Sequence, residues 1–218
     1  MPALLSHRSP SRTAPLSSVL PTPPEALSGL LGEIAACRAC SGMWAHEPRP
    51  VVMVSDRTRL LVCGQAPGKR VHESGRPFTD ASGIRLRDWM GVDAETFYGD
   101  GRVGVAAQAF CFPGTNPKGG DFPPPPRCAQ LWRDRLLGAL PGVVLTLLVG
   151  GHAQAWALGD RAKPTMTETV RAWREYGPDV IPLPHPSWRN TAWLNREPWF
   201  ARELLPELKR RVAGILAA

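Results

Sequence analysis

Arg59-Leu60-Leu61-Val62-Cys63-Gly64-Gln65-Ala66-Pro67-Gly68 is the stretch on which the fold turns. After Arg59 it is a short, continuous apolar run that ends in glycine. Such a run suits a strand buried on both faces of a parallel sheet. Val143–Gly150 (VVLTLLVG) is the clearest second example, Val103–Phe110 reads as another strand, and Val180–Leu183 as a short last one. Helical spacing falls between them, over residues 82–90, 129–140, 151–158 and 165–176, with a closing helix over 197–216. Strands alternating with helices predict an α/β fold: a three-layer α/β/α sandwich around a central four-stranded, mostly parallel sheet. Sites in such sheets lie beyond the carboxyl ends of the strands. Two loops stand there: Gly64–Gly68, and Pro184-His185-Pro186-Ser187 after the last strand.

Outward from these strands, the 218 residues suit one domain with a real core. Residues 1–23 are rich in Ser and Pro and read as a disordered tail, with the domain spanning 24–218. An amphipathic helix is predicted over 24–36. No secretory signal is read in the tail; an organellar transit peptide is the alternative to simple disorder. No apolar run reaches the roughly 20 residues that span a bilayer, so no membrane partner is expected. Lys and Arg outnumber Asp and Glu by 26 to 19, giving +7, with a pI of 9.6. That excess favours an anionic partner such as nucleic acid. Five cysteines are too few for a secreted disulfide scaffold.

Two blocks carry the chemistry. Glycines and a proline in Gly64–Gly68 let backbone approach a ligand closely, although a tight turn without function reads the same way. The loop is not a phosphate-binding P-loop, because the Gly-Lys-Ser/Thr ending is missing. The second block is Gly75-Arg76-Pro77-Phe78-Thr79-Asp80-Ala81-Ser82-Gly83. Asp80 there is either a catalytic carboxylate or the cap of the following helix. His185 is either a functional imidazole or a turn residue before proline.

The order of strand, GQAPG, G-x-P-F-x-D-x-S-G and helix, followed by His185-Pro186-Ser187-Trp188-Arg189-Asn190 after the last strand, resembles the uracil-DNA glycosylase superfamily. The likeness covers roughly residues 25–215 and is closest to the bacterial and archaeal families that carry an iron–sulfur cluster. It implies base excision from DNA. Asp80 would position or activate water, or stabilise the cationic sugar. His185 would donate a hydrogen bond to the leaving base, and Phe78 would stack on that base once flipped. Gln65 stands where many cluster-bearing relatives have Glu, and a neutral amide is no base. Relatives also carry an Asn in the second strand that reads the base edge; Ala107 replaces it here. A backbone amide, Gln108, Asn116 or Gln65 would then serve. Gly64, Ala66, Pro67 and Gly68 complete the expected base pocket.

Around that pocket, Ser187 is expected to contact phosphate, with Trp188 and Arg189 wedging into the duplex or gripping its backbone. Lys69, Arg70, Arg76, Arg85, Arg87 and Lys118 make up the expected basic surface; a solvated face is the bland reading. The run Lys209-Arg210-Arg211 reads as such a face. Cys37, Cys40, Cys111 and Cys128 resemble the ligands of a structural [4Fe–4S] cluster. Zinc, or unligated cysteines, are the alternatives. Cys63 reads as a small core residue. The resulting expectation is a monomeric, monofunctional glycosylase of the bacterial cytoplasm and nucleoid. It would hydrolyse uracil or a related deaminated base from DNA, leaving an abasic site. Two rival readings are a non-catalytic or covalently trapping binder of uracil-containing or abasic DNA, and a metal-stabilised protein with no DNA role.

Overall fold

The computed structural model describes residues 27–217. The tail over 1–23 and the first three residues of the predicted helix 24–36 lie outside the described residues.

Four strands form one sheet: β1 (Leu60–Cys63), β2 (Val103–Val105), β3 (Leu145–Val149) and β4 (Val180–Leu183). Their order is β2-β1-β3-β4 and every pairing is parallel, with Leu60 opposite both Val103 and Leu145. Pro182 cannot donate to a ladder, and it sits on the edge strand β4, where that is tolerated.

Side chains alternate across the strands and so divide the core into two layers. Leu60, Val62, Leu145, Leu147, Val149, Ile181 and Leu183 point to one face. That face is covered by α3 (Ala81–Met90), α4 (Ala94–Tyr98), α7 (Met166–Arg171), α8 (Thr191–Arg196) and α9 (Leu205–Ala217). Leu61 points the other way, against Leu30 and Ile34 of α1 (Leu27–Ala35) and Leu136 of α5 (Pro126–Gly138). Cys63 and Leu148 share that second face with α6 (Gly151–Leu158). A short helix, α2 (Lys69–Ser74), follows the GQAPG loop.

The predicted second strand is too long: it ends at Val105 rather than Phe110. Beyond Val105 the chain still leans on β1 and its loop, through Ala106 N–H to Val62 O, Gln108 N–H to Gly64 O and Ala109 N–H to Gln65 O. It then leaves strand geometry and turns into Cys111. The segment predicted helical over 165–176 also divides. A capping box between Thr165 and Glu168 starts α7, and a 3₁₀ turn over Trp173–Tyr176 replaces its second half. The closing helix opens with a wide π turn over Phe200–Leu204.

Candidate active site

A cleft of about 530 Å³ opens at the carboxyl ends of the strands. Its lining includes Gly64, Gln65, Ala66, Pro67, Gly68 and Lys69 from the first loop, Phe78 and Asp80 from the second block, and His185, Ser187 and Arg189 from the third. Segments that are far apart in sequence thus converge on one concavity.

Phe78 is placed by strain. Its backbone is left-handed, with φ 55°, a conformation that non-glycine residues seldom adopt. Its carbonyl is held by Tyr98 Oη–H at 2.8 Å and Arg87 Nη1–H at 3.0 Å. That carbonyl presses on the first turn of α3, where a Cβ on Gly83 would lie 1.7 Å from it. Glycine at 83 therefore allows the turn that aims the Phe78 ring into the cleft.

Asp80 caps the next helix and also faces the cleft. Its Oδ1 caps α3 by accepting the Gly83 N–H at 3.1 Å. Oδ2 makes no hydrogen bond among the described residues, and the side chain lines the cleft.

His185 is held on several sides. Asn190 Nδ2 donates to the His185 carbonyl at 2.7 Å, and Arg85 Nη1 donates to the Ser187 carbonyl at 3.0 Å. Gly150 packs the end of β3 against His185, and its φ of 87° is a backbone conformation that favours glycine. Nδ1 accepts the Ser187 N–H at 3.2 Å. Burial depresses the imidazole pKa, against the pull of the nearby Asp80 charge, and Arg189 lowers it further. The ring is therefore neutral at neutral pH, with its proton on Nε2.

Several residues stand elsewhere than expected. Gln108 does not line the cleft: its side chain is buried, with Oε1 unpartnered, and Ala107 takes the lining position. Arg76 lies over the Tyr98 ring at 3.8 Å, outside the lining. Arg85 and Arg87, read as part of the basic surface, brace the Ser187 and Phe78 carbonyls. Asn116 Oδ1 accepts the Lys118 N–H, which ties it into its own loop. Asn190, at the start of α8, braces the His185 carbonyl. Lys209 and Arg210, by contrast, are exposed on α9 as read, with Arg210 and Arg211 paired with Glu207. Trp188 is 75% exposed and projects beside the cleft without lining it.

The cleft also contains residues that the sequence reading missed. His152 follows β3 as His185 follows β4, so the strand-end rule was signal enough to find it. Asp121 sits at the open rim beside Arg189, and burial of its carboxyl raises its pKa. It comes from a Gly/Pro loop with no periodicity to place it.

Cys37, Cys40, Cys111 and Cys128 line one small void, walled by apolar side chains that include Ile34, Trp44, Phe110 and Trp132. Cys128 Sγ accepts the Phe110 N–H at 3.3 Å. Burial, with the other cysteines crowding in, pushes the Cys111 thiol up to about 12 and the Cys128 thiol to about 11. Cys63 lies apart, buried in β1. Among the described residues no three His, Cys, Asp or Glu side chains are grouped closely enough to hold a single metal ion.

The arrangement offers a carboxylate with a free oxygen, a neutral imidazole donor and an aromatic face in one cleft, with basic side chains at its lip. The family model of the uracil DNA glycosylase superfamily matches residues 52–209, a span that contains every lining residue of the cleft but Val51. The chain belongs to the uracil DNA glycosylase superfamily.

Proposed function

We propose that the protein removes uracil, or a closely related deaminated base, from DNA by hydrolysis, leaving an abasic site. The observation that carries this reading is the convergence of Asp80, neutral His185 and Phe78 on one cleft. A base flipped out of the duplex stacks on Phe78. As the bond between sugar and base breaks, its electron pair leaves with the base. The sugar carbon becomes positive, and the free oxygen of Asp80 stabilises it and orients water. His185 Nε2–H donates to the base oxygen on which negative charge collects. Water adds to the sugar carbon and its proton passes to solvent. No lysine amine is needed, so the chemistry is monofunctional.

Lys69, Arg70 and Arg189 at the lip would meet phosphates, with Ser187 as a further donor, and Trp188 would fill the space the base vacates. Ala107 leaves the pocket without a side-chain amide at that point, so backbone groups and Gln65 would read the base edge. Gln65 Nε2 is only weakly engaged, at 3.5 Å from the Phe122 carbonyl, and is available for this. The test of base identity is mass spectrometry of free base released from duplexes carrying uracil, hypoxanthine or xanthine. Release of uracil supports the reading, whereas release of hypoxanthine alone moves the substrate to a deaminated purine.

For the four cysteines we propose a structural [4Fe–4S] cluster. The apolar walls and the N–H···S bond to Cys128 fit buried thiolates. Four sulfurs that surround a void without converging on one point fit a cluster better than a zinc ion. Bound iron would reverse the raised thiol pKa values by holding the thiolate form. Protein purified anaerobically should be brown and contain iron, and Cys111→Ser should lose both colour and stability. Colourless, iron-free wild-type protein sinks the assignment.

The rival reading, a binder that traps its product, has the neutral Gln65 and Ala107 in its favour. Catalytic turnover excludes it.

A further inference from the structure

Among the described residues that line the cleft, two are carboxylates: Asp80 and Asp121. Lys69, Arg70 and Arg189, also in the lining, are cations. An acid at the mouth of a cleft that receives a polyanion weakens capture, so Asp121 works against binding unless the reaction uses it. The Gly/Pro loop folds back on itself to present this residue at the rim. Asn116 N–H donates to the Gly120 carbonyl at 2.8 Å, Phe122 N–H to the Gly114 carbonyl at 2.9 Å, and Thr115 bridges to Asp121. These are backbone bonds. The Asp121 carboxylate itself makes no hydrogen bond among the described residues.

The same loop reaches both of the other loops of the cleft. A Cβ on Gly120 would lie 3.2 Å from Arg189 Nη1, and one on Gly68 would lie 3.6 Å from Asp121 Oδ2. Gln65 Nε2 donates to the Phe122 carbonyl at 3.5 Å. Asp121 therefore stands at the outer end of the GQAPG loop. The inner end is Gly64, where a Cβ would lie 3.9 Å from the Phe78 ring. A base stacked on Phe78 fills the inner end and leaves its sugar toward the mouth, on the side of Asp121.

Hydrolysis makes two demands that one carboxylate meets poorly. The positive sugar carbon needs a negative charge beside it, and the attacking water must lose a proton. If Asp80 took that proton, it would lose the charge that stabilises the sugar. Its Oδ1 is also occupied at the cap of α3. We propose that Asp121 is a second catalytic carboxylate, which accepts the proton of the attacking water while Asp80 stays ionised beside the sugar. The inference rests on the glycosylase reading above. The bond from sugar carbon to base nitrogen breaks, and its electron pair leaves with the base. The water oxygen forms the new bond to the sugar carbon, and the water proton moves to Asp121. Asp121 returns that proton to solvent at the open rim, and the released base takes one up from solvent. Partial burial of the carboxyl raises its pKa against the pull of Arg189, in the direction of a stronger base.

The experiment measures single-turnover base release, duplex affinity and melting temperature for wild type, Asp121→Asn and Asp121→Ala. The substrate is a duplex carrying the base that the wild type releases. Both variants should melt like wild type, because backbone bonds hold the loop. Both should bind duplex at least as tightly, having lost a negative charge. Base release should fall by about 10²-fold in each. Added formate should restore much of it in Asp121→Ala, where the missing side chain leaves room for a small carboxylate. A merely structural role predicts no such rescue. Release from Asp121→Asn within a few-fold of wild type overturns the proposal. So does a loss that formate does not restore, or a melting temperature well below wild type, which would assign the carboxylate to holding the loop. Each of these leaves the glycosylase reading standing. Wild type that releases no base sinks that reading first, and the role of Asp121 with it.

Discussion

Asp80 shows how a helix cap can also face the cleft, and how the two positions are tested apart. Its Oδ1 caps α3 while the side chain faces the cleft. Asparagine is as good a cap as aspartate, so Asp80→Asn should leave the melting temperature nearly unchanged. Base release should nevertheless fall by about 10²-fold or more, the scale of a lost general acid–base group. Calorimetry and single-turnover kinetics on one preparation check both, and unchanged turnover would remove Asp80 from the chemistry. His185 gives a prediction in pH. Its folded pKa lies below the ordinary value of about 6.5. The unfolded chain therefore binds more protons between those two values, and stability rises with pH across that window. His185→Asn should flatten this loss of stability on acidification, read as melting temperature against pH. It should also remove the acid limb of activity, because protonation of Nδ1 breaks its bond to Ser187 N–H. Phe78 and Asp80 were legible because they stand in a short motif just before α3, and His185 because it follows the last strand. Gln108 was misplaced because it was offered as a stand-in for the amide missing at Ala107, whereas Ala107 keeps the lining position and the Gln108 side chain is buried. Asp121 had no signal at all, since only the folded Gly/Pro loop brings it to the cleft.

At the scale of elements, the strands were legible wherever burial on both faces makes a continuous apolar run. β4 was read to the residue, and β1 and β3 to within two at each end. Short helices were not: α2, α4 and α8 have five or six residues each, too few for a 3.6-residue period to show. The cap of α4 was present to be read, with Asp93 accepting the Thr96 N–H at 2.7 Å. The join between Phe78 and α3 is the most exacting local feature, and it gives a sharp test. Gly83→Ala places a methyl within bonding range of the Phe78 carbonyl. It should destabilise the fold by well over the ~1 kcal/mol of a typical substitution. It should also raise KM for damaged DNA by moving the aromatic platform. Urea unfolding and steady-state kinetics check this, and a wild-type stability would show that the turn is softer than described.

Across the whole molecule, the excess of +7 is not spread idly. Several arginines are used inside: Arg133 is buried, and Arg85 and Arg87 hold the loops of the cleft. Lys69, Arg70 and Arg189 remain at the lip of the cleft. Composition pointed to an anionic partner but could not separate these two uses, because only the fold decides which cations face water. If the three lip cations contact phosphates, the affinity for undamaged duplex should fall steeply with salt. Removing one of them should reduce the log–log slope by about one. Trp188→Ala should act differently, weakening capture of the flipped state while leaving the salt slope alone. Fluorescence anisotropy across a salt series distinguishes the two.

The central claim is that this cleft hydrolyses the bond between sugar and base with turnover. Its most direct test is a duplex bearing one U:G mismatch, supplied in large excess over the protein, with the product strand cleaved by alkali. Product many times the enzyme concentration, abolished in the His185→Asn, Asp80→Asn double variant, is the predicted result. Product that stops at one equivalent, or none from protein that binds the duplex, would contradict a uracil glycosylase. The first outcome would point to a trapping binder, and the second to another damaged base or to binding alone.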